Sequence, residues 1–341
     1  SFLSRESAFL FNNLIFLGAA FAVMWGTLFP LIAEGVTGQK VSVGPPLFQK
    51  VNLPIGLTLL ALTGIGPVIA WRRASKRNLR RNFTMPVAVA LVVSAILWLL
   101  GARHGMALAT WGLSTFVLVI IGVEFWKGTK ARAHIEGEGY LAALYHLITR
   151  NRRRWGGYIV HAGMVMIFIG FAGSAYNVDV RKHMVPGDVV EVQSPFGHTY
   201  SLTYEGLSPS IGRGQRNLEW QAIALLSVSR EGKSLGTLTT EKRQYRNNEQ
   251  TMTEVGIRST AYEDLYLILA AVDDLSGALN ADVDAQGVDL QVLVKPLIAL
   301  LWWGGLVLII GSLIGLWPSA ERRKVEVEAP AAQEPEPVGA A

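Results

Sequence analysis

Six long apolar stretches constrain the fold of this chain more than any other feature of its sequence. Each approaches the 20 or so apolar residues that a helix needs to cross the hydrocarbon core of a bilayer. Inside a membrane, only helices and closed barrels satisfy their own backbone hydrogen bonds, so runs of this length predict helices. The predicted spans, of which the third is the shortest, are Leu14–Ile32, Leu53–Trp71, Met85–Leu100, Met106–Trp126, Gly157–Tyr176 and Leu297–Trp317.

The composition supports a membrane protein and argues against a nucleic-acid-binding one. Only 17% of the 341 residues are charged, whereas about a quarter are charged in an ordinary soluble domain. The net charge is +5, but the basic residues cluster beside the apolar spans. That distribution is typical of membrane orientation, so we expect membrane lipid and not nucleic acid as a partner.

The positions of the basic residues also predict the topology. Cations are concentrated between spans two and three, between spans four and five, and after span six, in the groups that begin at Arg72, Lys127 and Arg322. The opposite side carries only Lys40, Lys50 and Arg103. The positive-inside rule therefore predicts that both chain ends lie in the cytoplasm.

Residues 177–296 form the one large predicted segment outside the membrane. Short runs with strand-forming residues occur at Asp188–Val192, Tyr200–Tyr204, Ala222–Ser229, Leu235–Thr240, Tyr266–Val272 and Val288–Val294, with a hairpin turn at 231–234. The sequence thus predicts an α-helical integral membrane protein with about six transmembrane helices and a β-rich periplasmic domain inserted before the last helix. Its predicted parts are a five-helix membrane domain at 1–176, the periplasmic domain at 177–296, the last helix at 297–317 and a disordered cytoplasmic tail at 318–341.

One histidine lies inside a predicted span. His161 follows Gly157 by four residues, which places it roughly 6 Å into the hydrocarbon at 1.5 Å per residue. An ionisable side chain there is costly and indicates a functional site by default. Its helical neighbours are apolar, and Gly156, Gly163 and Gly170 recur every seven residues as a surface that a helix or a flat macrocycle could approach.

Three roles for His161 stay open from the residues alone. It could be a neutral histidine donating one hydrogen bond between helices, a metal or haem ligand, or part of a proton relay. No Asp, Glu, Lys or Arg lies in the middle of any span, which weighs against a relay or an ion-coupled transporter. A neutral imidazole binds iron without burying net charge, so axial coordination of haem suits an isolated histidine better.

The other histidines are weaker candidates. His104 lies in a tight outward loop and could face a ligand at the outer membrane surface, or be a solvated loop residue. His183 and His198 fall in the outward domain without a zinc-like cluster, and His134 and His146 fall in the cytoplasmic loop. Trp302, Trp303 and Trp317 are expected to be interfacial anchors.

The chain contains no cysteine. Disulfides, thiol nucleophiles, iron–sulfur clusters and cysteine-ligated zinc are therefore excluded from it. If this protein acts on thiols, those thiols belong to a partner. Because the sequence begins at Ser1 without a methionine, we expect a processed product, one half of a split protein, or a fragment.

Several segments together resemble the C-terminal half of CcmF, the haem lyase subunit of the system I cytochrome c maturation pathway. They occur in the order of that family along nearly the whole chain. The segments are 4–7 with 12–13, Gly26–Leu31, Val43–Phe48, Gly157–Gly170, Glu241–Tyr245, Met252–Glu254, Asp264–Tyr266, and Lys295–Pro296 with Trp302–Gly305.

The resemblance implies a haem lyase subunit, a cytochrome c synthase, that attaches haem to the thiols of a Cys-x-x-Cys-His motif on the periplasmic side. Haem would be the transferred substrate, delivered by a haem chaperone, and apocytochrome c would arrive with its thiol-handling and holding subunits. The family also holds a b-type haem in the membrane. His161 occupies the position of one axial ligand to the iron of that haem, and the resemblance assigns no catalytic residue.

The family places its tryptophan-rich haem-handling loop, two flanking periplasmic histidines and the other axial ligand upstream of the matching region. We therefore expect the N-terminal half of the same protein as a partner and the chain alone to be an incomplete enzyme. The alternative is a non-catalytic membrane scaffold that docks the haem chaperone and apocytochrome during cytochrome c assembly.

Overall fold

The computed structural model describes residues 5–66, 76–212, 217–246, 250–279 and 287–318. Within these ranges the chain forms eight α-helices, with a short 3₁₀ turn at Ser174–Tyr176, and nine β-strands. The helices are α1 (Arg5–Thr37), α2 (Pro45–Ile65), α3 (Lys76–Leu99), α4 (Gly105–Glu136), α5 (Tyr140–Arg150), α6 (Arg152–Gly173), α7 (Leu275–Leu279) and α8 (Ala299–Leu316).

Six of these helices, α1 to α4, α6 and α8, are long and apolar enough to cross a membrane. The predicted fold class, about six transmembrane helices with a β-rich domain before the last one, is therefore confirmed. Helices α1 to α4 and α6 begin before the predicted apolar runs, because charged and polar residues continue the same helix past the hydrocarbon boundary, whereas α8 lies within its predicted span. The predicted end of span two at Trp71 and the predicted tail beyond Pro318 lie outside the described residues.

One helix was absent from the sequence prediction. The 11-residue helix α5 lies in the basic loop between α4 and α6, and it is too short to span a bilayer. Its residues Leu141 and Tyr145 are 85% and 65% exposed. The charge pattern predicted only a loop in this segment, but the segment forms a helix with an exposed apolar face.

The described chain divides into two compact units. One contains residues 5–66, 76–96, 112–165 and 304–318, and the other contains residues 97–111 and 166–303 apart from the gaps given above. The first unit consists of helical segments, and the second contains all nine strands.

Helix α6 packs against α8 through glycine in the first unit. A Cβ atom built on Gly163 would lie 2.6 Å from the carbonyl oxygen of Gly304 and 2.6 Å from the backbone nitrogen of Leu308. A Cβ on Gly156 would lie 2.7 Å from the nitrogen of Gly315. No side chain larger than hydrogen fits at these distances, so the predicted glycine stripe is a helix-packing surface and α8 is its partner.

The nine strands form two antiparallel sheets. One has the order β1-β9-β8-β7 and the other the order β2-β3-β4-β5-β6. The strands are β1 (Val178–Met184), β2 (Val189–Gln193), β3 (Thr199–Ile211), β4 (Leu218–Arg230), β5 (Lys233–Tyr245), β6 (Met252–Glu254), β7 (Gly256–Ser259), β8 (Glu263–Val272) and β9 (Val288–Pro296). Strands β2 to β5, β8 and β9 overlap the predicted strands, whereas β1, β6 and β7 were not predicted.

The core of this sandwich lies between the two sheets. Alternating residues of β3 (Tyr200, Leu202 and Tyr204) pack with alternating residues of β9 and β8 in one buried cluster. The predicted hairpin turn joins β4 to β5 through Glu231 and Gly232, whose φ angles are 49° and 78°. Two central residues with positive φ give the primed turn that matches the twist of paired strands.

The α6–α8 contact predicts the effect of one added methyl group. We expect Gly163→Ala to lower the thermal stability of the purified protein by an amount corresponding to about 1–3 kcal/mol, because the new Cβ would overlap backbone atoms of α8. Thermal unfolding in detergent, followed by circular dichroism, measures this change.

Gly122→Ala on α4 is the matched control, since a Cβ there would meet nothing within 4 Å. Alanine is the better helix former, so this variant should be neutral or slightly more stable. Equal losses of stability in the two variants would contradict the packing argument.

Candidate functional site

His161 lies on the side of α6 that is turned away from α8. It is five residues from Gly156 and two from Gly163, which at 100° per residue places it about 150° around the helix from the glycine surface. Its neighbours on the same face, Tyr158 and Val165, are buried, with 6% and 0% of their surfaces exposed. The Tyr158 ring lies 6.1 Å from that of Phe125 on α4.

The ring of His161 is partly buried and has no hydrogen-bond partner among the described residues. Its Nδ1 atom is fully shielded from solvent and unpaired there. A hydrogen bond between helices, the simplest alternative role, therefore lacks an acceptor in the described part of the chain. Beside the ring, one turn earlier on the same face, a Cβ on Gly157 would meet nothing within 4 Å.

These features fit an axial haem ligand. Iron coordination would use one nitrogen of a neutral imidazole, and an open surface beside Gly157 leaves room for a flat macrocycle. A neutral imidazole at position 161 buries no net charge, whereas a carboxylate or a lysine in the same place would. The residues present are therefore suited to hold a haem from one side.

The loop containing His104 is held against the end of α6 in the second unit. The backbone N–H of His104 donates to the Tyr176 hydroxyl at 2.9 Å, and the Tyr176 ring stacks on Trp111 at 5.5 Å. The indole of Trp111 donates to the carbonyl of Ile169 at 3.2 Å. His104 itself is exposed, so these contacts fix its backbone and leave the imidazole edge accessible.

His183 and His198 are not brought together. His183 lies between two aspartates on the surface of the sandwich, 3.0 Å from Asp289 and 3.5 Å from Asp273. All three side chains are about half exposed. Among the described residues no group of His, Asp and Glu is arranged to hold a metal ion.

His198 belongs instead to a buried network that sequence reasoning missed. The carboxylate of Glu263 is fully buried and lies 2.6 Å from the His198 Nε2 atom. The same carboxylate accepts hydrogen bonds from the Tyr200 hydroxyl at 2.7 Å and from the Ser194 hydroxyl at 2.5 Å. Burial, aided by the bond to Glu263, raises the pKa of the Tyr200 hydroxyl.

This network connects the β2–β3 hairpin to the start of β8. The pattern His-x-Tyr places His198, which directly precedes β3, on the same side of the extended chain as Tyr200 on β3, and Ser194 lies across the turn from them. The His-x-Tyr spacing was the one sequence feature that could have indicated this network. Glu263 lies 63 residues after Tyr200, and no local sequence pattern predicts that the two are in contact. A buried carboxylate with three hydrogen-bonding partners is adequately compensated, which makes this network a structural clamp.

Charged residues near the first turn of α6 form ion pairs. The side chain of Glu124 is only 20% exposed and pairs with Arg154 at 3.1 Å. Nearby, hydrogen bonds from His146 and Arg132 lower the pKa of the Glu138 carboxyl. Glu124 and Glu138 therefore each pair with basic side chains of this region.

The segments that carried the sequence resemblance meet one another in space. Glu241–Tyr245 and Met252–Glu254 form the β5–β6 pair, in which Lys242 opposes Thr253. Asp264 on β8 opposes Lys295 on β9, and the Lys295 ammonium lies 4.2 Å from the centre of the Tyr266 ring. In the first unit, a Cβ on Gly26 would lie 2.8 Å from the Phe48 ring.

Comparison with known proteins agrees with this arrangement. Residues 175–296 match the family described as the CcmF C-terminal beta-sandwich. The predicted resemblance to the C-terminal half of CcmF is therefore confirmed.

Similarity to CcmF proteins extends over nearly the whole chain. The cytochrome c-type biogenesis protein CcmF of Pseudomonas aeruginosa is 29% identical over 325 residues, which are 95% of this chain and 45% of that protein. The cytochrome c-type biogenesis protein CycK of Rhizobium meliloti is 31% identical over 329 residues, with 96% and 45% covered. The chain spans about half the length of these curated relatives.

A solved structure titled Cytochrome c Heme Lyase CcmF has the same fold. It superimposes with a TM-score of 0.71 at 26% identity and covers 93% of this chain and 46% of its own. The helices and the sandwich described above therefore resemble the fold of about half of that structure.

Asp264 provides a pH test of the sandwich. It is 4% exposed, its Oδ1 atom has no partner among the described residues, and burial raises the pKa of its carboxyl. Stability therefore falls as pH rises from the unfolded-state pKa through the higher folded-state pKa, because the unfolded chain releases the proton first. We expect Asp264→Asn to raise the melting temperature at pH 7.5 relative to the wild type by more than it does at pH 4.

Melting temperatures of the two proteins at both pH values measure this difference. Glu219→Gln, which removes an exposed carboxylate from β4 of the same sandwich, is the control and should show no such dependence. A wild type that is more stable than Asp264→Asn at pH 7.5 would mean that the Asp264 charge supports the fold.

Proposed function

We propose that this chain is the second half of a cytochrome c haem lyase. The printed names of its relatives and of the structural neighbour support this function, since they describe cytochrome c-type biogenesis and haem lyase proteins. The observation that carries the proposal is the structural similarity of 93% of the chain, helices and sandwich together, to a CcmF structure. Similarity confined to the sandwich would have supported only a shared binding module.

His161 is proposed as one axial ligand of a resident b-type haem. The unpaired ring, its apolar face and the open space beside Gly157 support that role. When bound, such a haem would supply one-electron chemistry that keeps the iron of the substrate haem reduced. The second axial ligand would come from the N-terminal half of the same protein, and α6 would hold His161 in place through its packing on α8.

The proposed reaction joins haem to apocytochrome c. Each thiol of the Cys-x-x-Cys-His motif adds across a haem vinyl group, so that a carbon–sulfur bond forms and the thiol hydrogen ends on the other vinyl carbon. The addition needs both cysteine thiols reduced, and this chain has no cysteine that could form a disulfide with them. The protein would contribute placement of the two substrates.

The orientation is proposed from the charges. The basic ends of α3 and α4 and the first turn of α6 would face the cytoplasm, and the sandwich would face the periplasm of the bacterial inner membrane. A haem chaperone and the apocytochrome-holding subunits would then meet the protein on the side of the sandwich. The parts proposed are a membrane domain at 1–176, the sandwich at 177–296, the last helix at 297–317 and the tail at 318–341.

A scaffold without chemistry is the second candidate. The Glu263 network favours it, because that buried network clamps the sandwich together and offers no exposed nucleophile or acid–base pair. Under this alternative the chain would dock the haem chaperone and apocytochrome and would hold no haem. Haem content therefore separates the two candidates.

Replacing His161 tests the haem-ligand proposal. In a complex purified together with the N-terminal half, we expect the wild type to show a low-spin b-type spectrum and His161→Gly to retain haem at least about tenfold more weakly. Changes in outer-shell groups alone cost 10–100-fold in metal affinity, so losing the ligand should cost at least as much. Absorbance of the reduced complex measures haem content directly.

Two controls make this experiment specific. His146→Gly removes an exposed histidine from α5 and should leave the spectrum unchanged. Added imidazole should restore the low-spin spectrum of His161→Gly, which a purely structural role would not produce. Unchanged haem content in His161→Gly would remove this residue from the site, and a wild-type complex without haem would favour the scaffold.

A further inference from the structure

The first unit contains a cavity that the proposed haem chemistry does not use. It has a volume of about 520 Å³ and lies between the C-terminal part of α4, helix α5 and the first turn of α6. The residues that line it are Glu124, Lys127, Gly128, Arg132, Leu147, Arg150, Asn151, Arg154 and Trp155.

The cavity wall is cationic. Four basic side chains and one carboxylate line it, which gives a formal charge of +3. The carboxylate, Glu124, pairs with Arg154 at 3.1 Å and with Lys127 at 3.9 Å. Glu138 and Glu136 lie outside the lining and approach Arg132 at 3.3 Å and Arg150 at 3.9 Å. With these two included, three carboxylates face four cations, so one positive charge remains in excess.

Arg132 carries an unsatisfied hydrogen-bond donor. Its side chain is 17% exposed, and its Nε atom is buried with no acceptor among the described residues. A buried guanidinium N–H without an acceptor is unfavourable. An anionic ligand in the cavity would supply the missing acceptor.

The first turn of α6 adds to the positive potential. Asn151 caps this 22-residue helix, its side-chain oxygen accepting from the Arg154 amide at 3.4 Å. The N-terminal end of a helix carries the positive end of its dipole and attracts phosphate groups.

The depth of the cavity matches the headgroup layer of a membrane. From Met106 to Val123, α4 has 18 residues without charge, which measure about 27 Å along the axis. A hydrocarbon core is about 30 Å thick. Glu124 and the basic residues after it therefore lie at the level of lipid phosphates.

Apolar side chains also border the cavity, which favours a lipid over a soluble anion. Trp155 and Leu147 approach Gly128 so closely that a Cβ there would lie 2.8 and 2.9 Å from their side chains. Beside the cavity, Trp126 stacks on Tyr140 at 5.7 Å, and these residues are 59% and 55% exposed. Exposed stacked aromatics are typical of the membrane interface.

We propose that this cavity binds the phosphate group of an anionic phospholipid. The guanidinium groups of Arg132, Arg150 and Arg154 would hold the phosphate, and the acyl chains would extend along the uncharged part of α4 at residues 106–123. By the charge distribution the lipid would belong to the cytoplasmic leaflet. The site stands on the geometry of α4, α5 and α6 and holds whether or not His161 binds haem.

Native mass spectrometry of the detergent-solubilised full chain tests this site. Dioleoyl phosphatidylglycerol should be retained in preference to dioleoyl phosphatidylcholine, which has the same acyl chains and no net charge. The double substitution Arg150→Gln and Arg154→Gln should weaken phosphatidylglycerol retention about thirtyfold, since each basic residue near a headgroup contributes about fivefold. Both side chains are more than half exposed, so the fold should survive their replacement.

The matched control is Lys130→Gln with Arg153→Gln. It removes the same charge from two exposed residues of α4 and α6 that do not line the cavity. Phosphatidylglycerol retention should change little in this control. Equal losses in the two double variants, or equal retention of the two lipids by the wild type, would overturn the proposal.

Inorganic phosphate distinguishes the two sources of the anion. If the site is built for a lipid, millimolar phosphate should leave phosphatidylglycerol retention unchanged at constant ionic strength. Displacement of the lipid by phosphate at that concentration would assign the cavity to a soluble anion and overturn its assignment to phospholipid.

Discussion

The close approach of α6 to α8 is the interaction on which the arrangement of the first unit depends. Gly163 leaves its backbone so near Gly304 and Leu308 that a single Cβ atom would overlap them. In a membrane, where lipid tails are as apolar as leucine, such close packing replaces the hydrophobic effect as the force between helices. It also fixes the rotation of α6, and this rotation turns His161 away from α8 and onto the face of Tyr158 and Val165.

Electrostatics divides the chain into regions with different chemistry. The centres of the spans carry no charge, because a charged side chain there would be costly. Cations gather where α4 leaves the hydrocarbon, and they face Glu124 and Glu138 in a paired layer with one buried donor, Arg132 Nε, unsatisfied among the described residues. In the sandwich, the buried carboxylate of Glu263 is tolerated because Ser194, His198 and Tyr200 surround it. Removing a charge from water costs free energy. This cost explains why the span centres carry no charge and why the charged residues of the basic layer and the sandwich are paired.

The two candidate ligands make different demands on the protein. Haem coordination requires a neutral imidazole in an apolar setting, which α6 provides at His161. Binding of a lipid phosphate requires cations and donors at the level of the headgroups, which α4, α5 and the first turn of α6 provide together. Both rest on α6, whose glycine surface sets the orientation of His161 and whose first turn borders the cavity.

Local patterns in the amino-acid sequence were enough to predict the six spans and the strands β2 to β5, β8 and β9. They also singled out His161 as the leading candidate site residue. Each depends on residues close together in the chain: an apolar run must form a helix in lipid, and one ionisable residue stands out within it. Three features became visible only in the folded chain: α8 packs on Gly163, α5 is a helix with an apolar face, and Glu263 contacts His198. The contacts of Gly163 and Glu263 join residues that lie far apart in the chain, up to 145 positions from Gly163 to Leu308. The exposure of the apolar face of α5 depends on which other elements pack near it. No local pattern encodes such contacts, because they are fixed by packing of the whole fold.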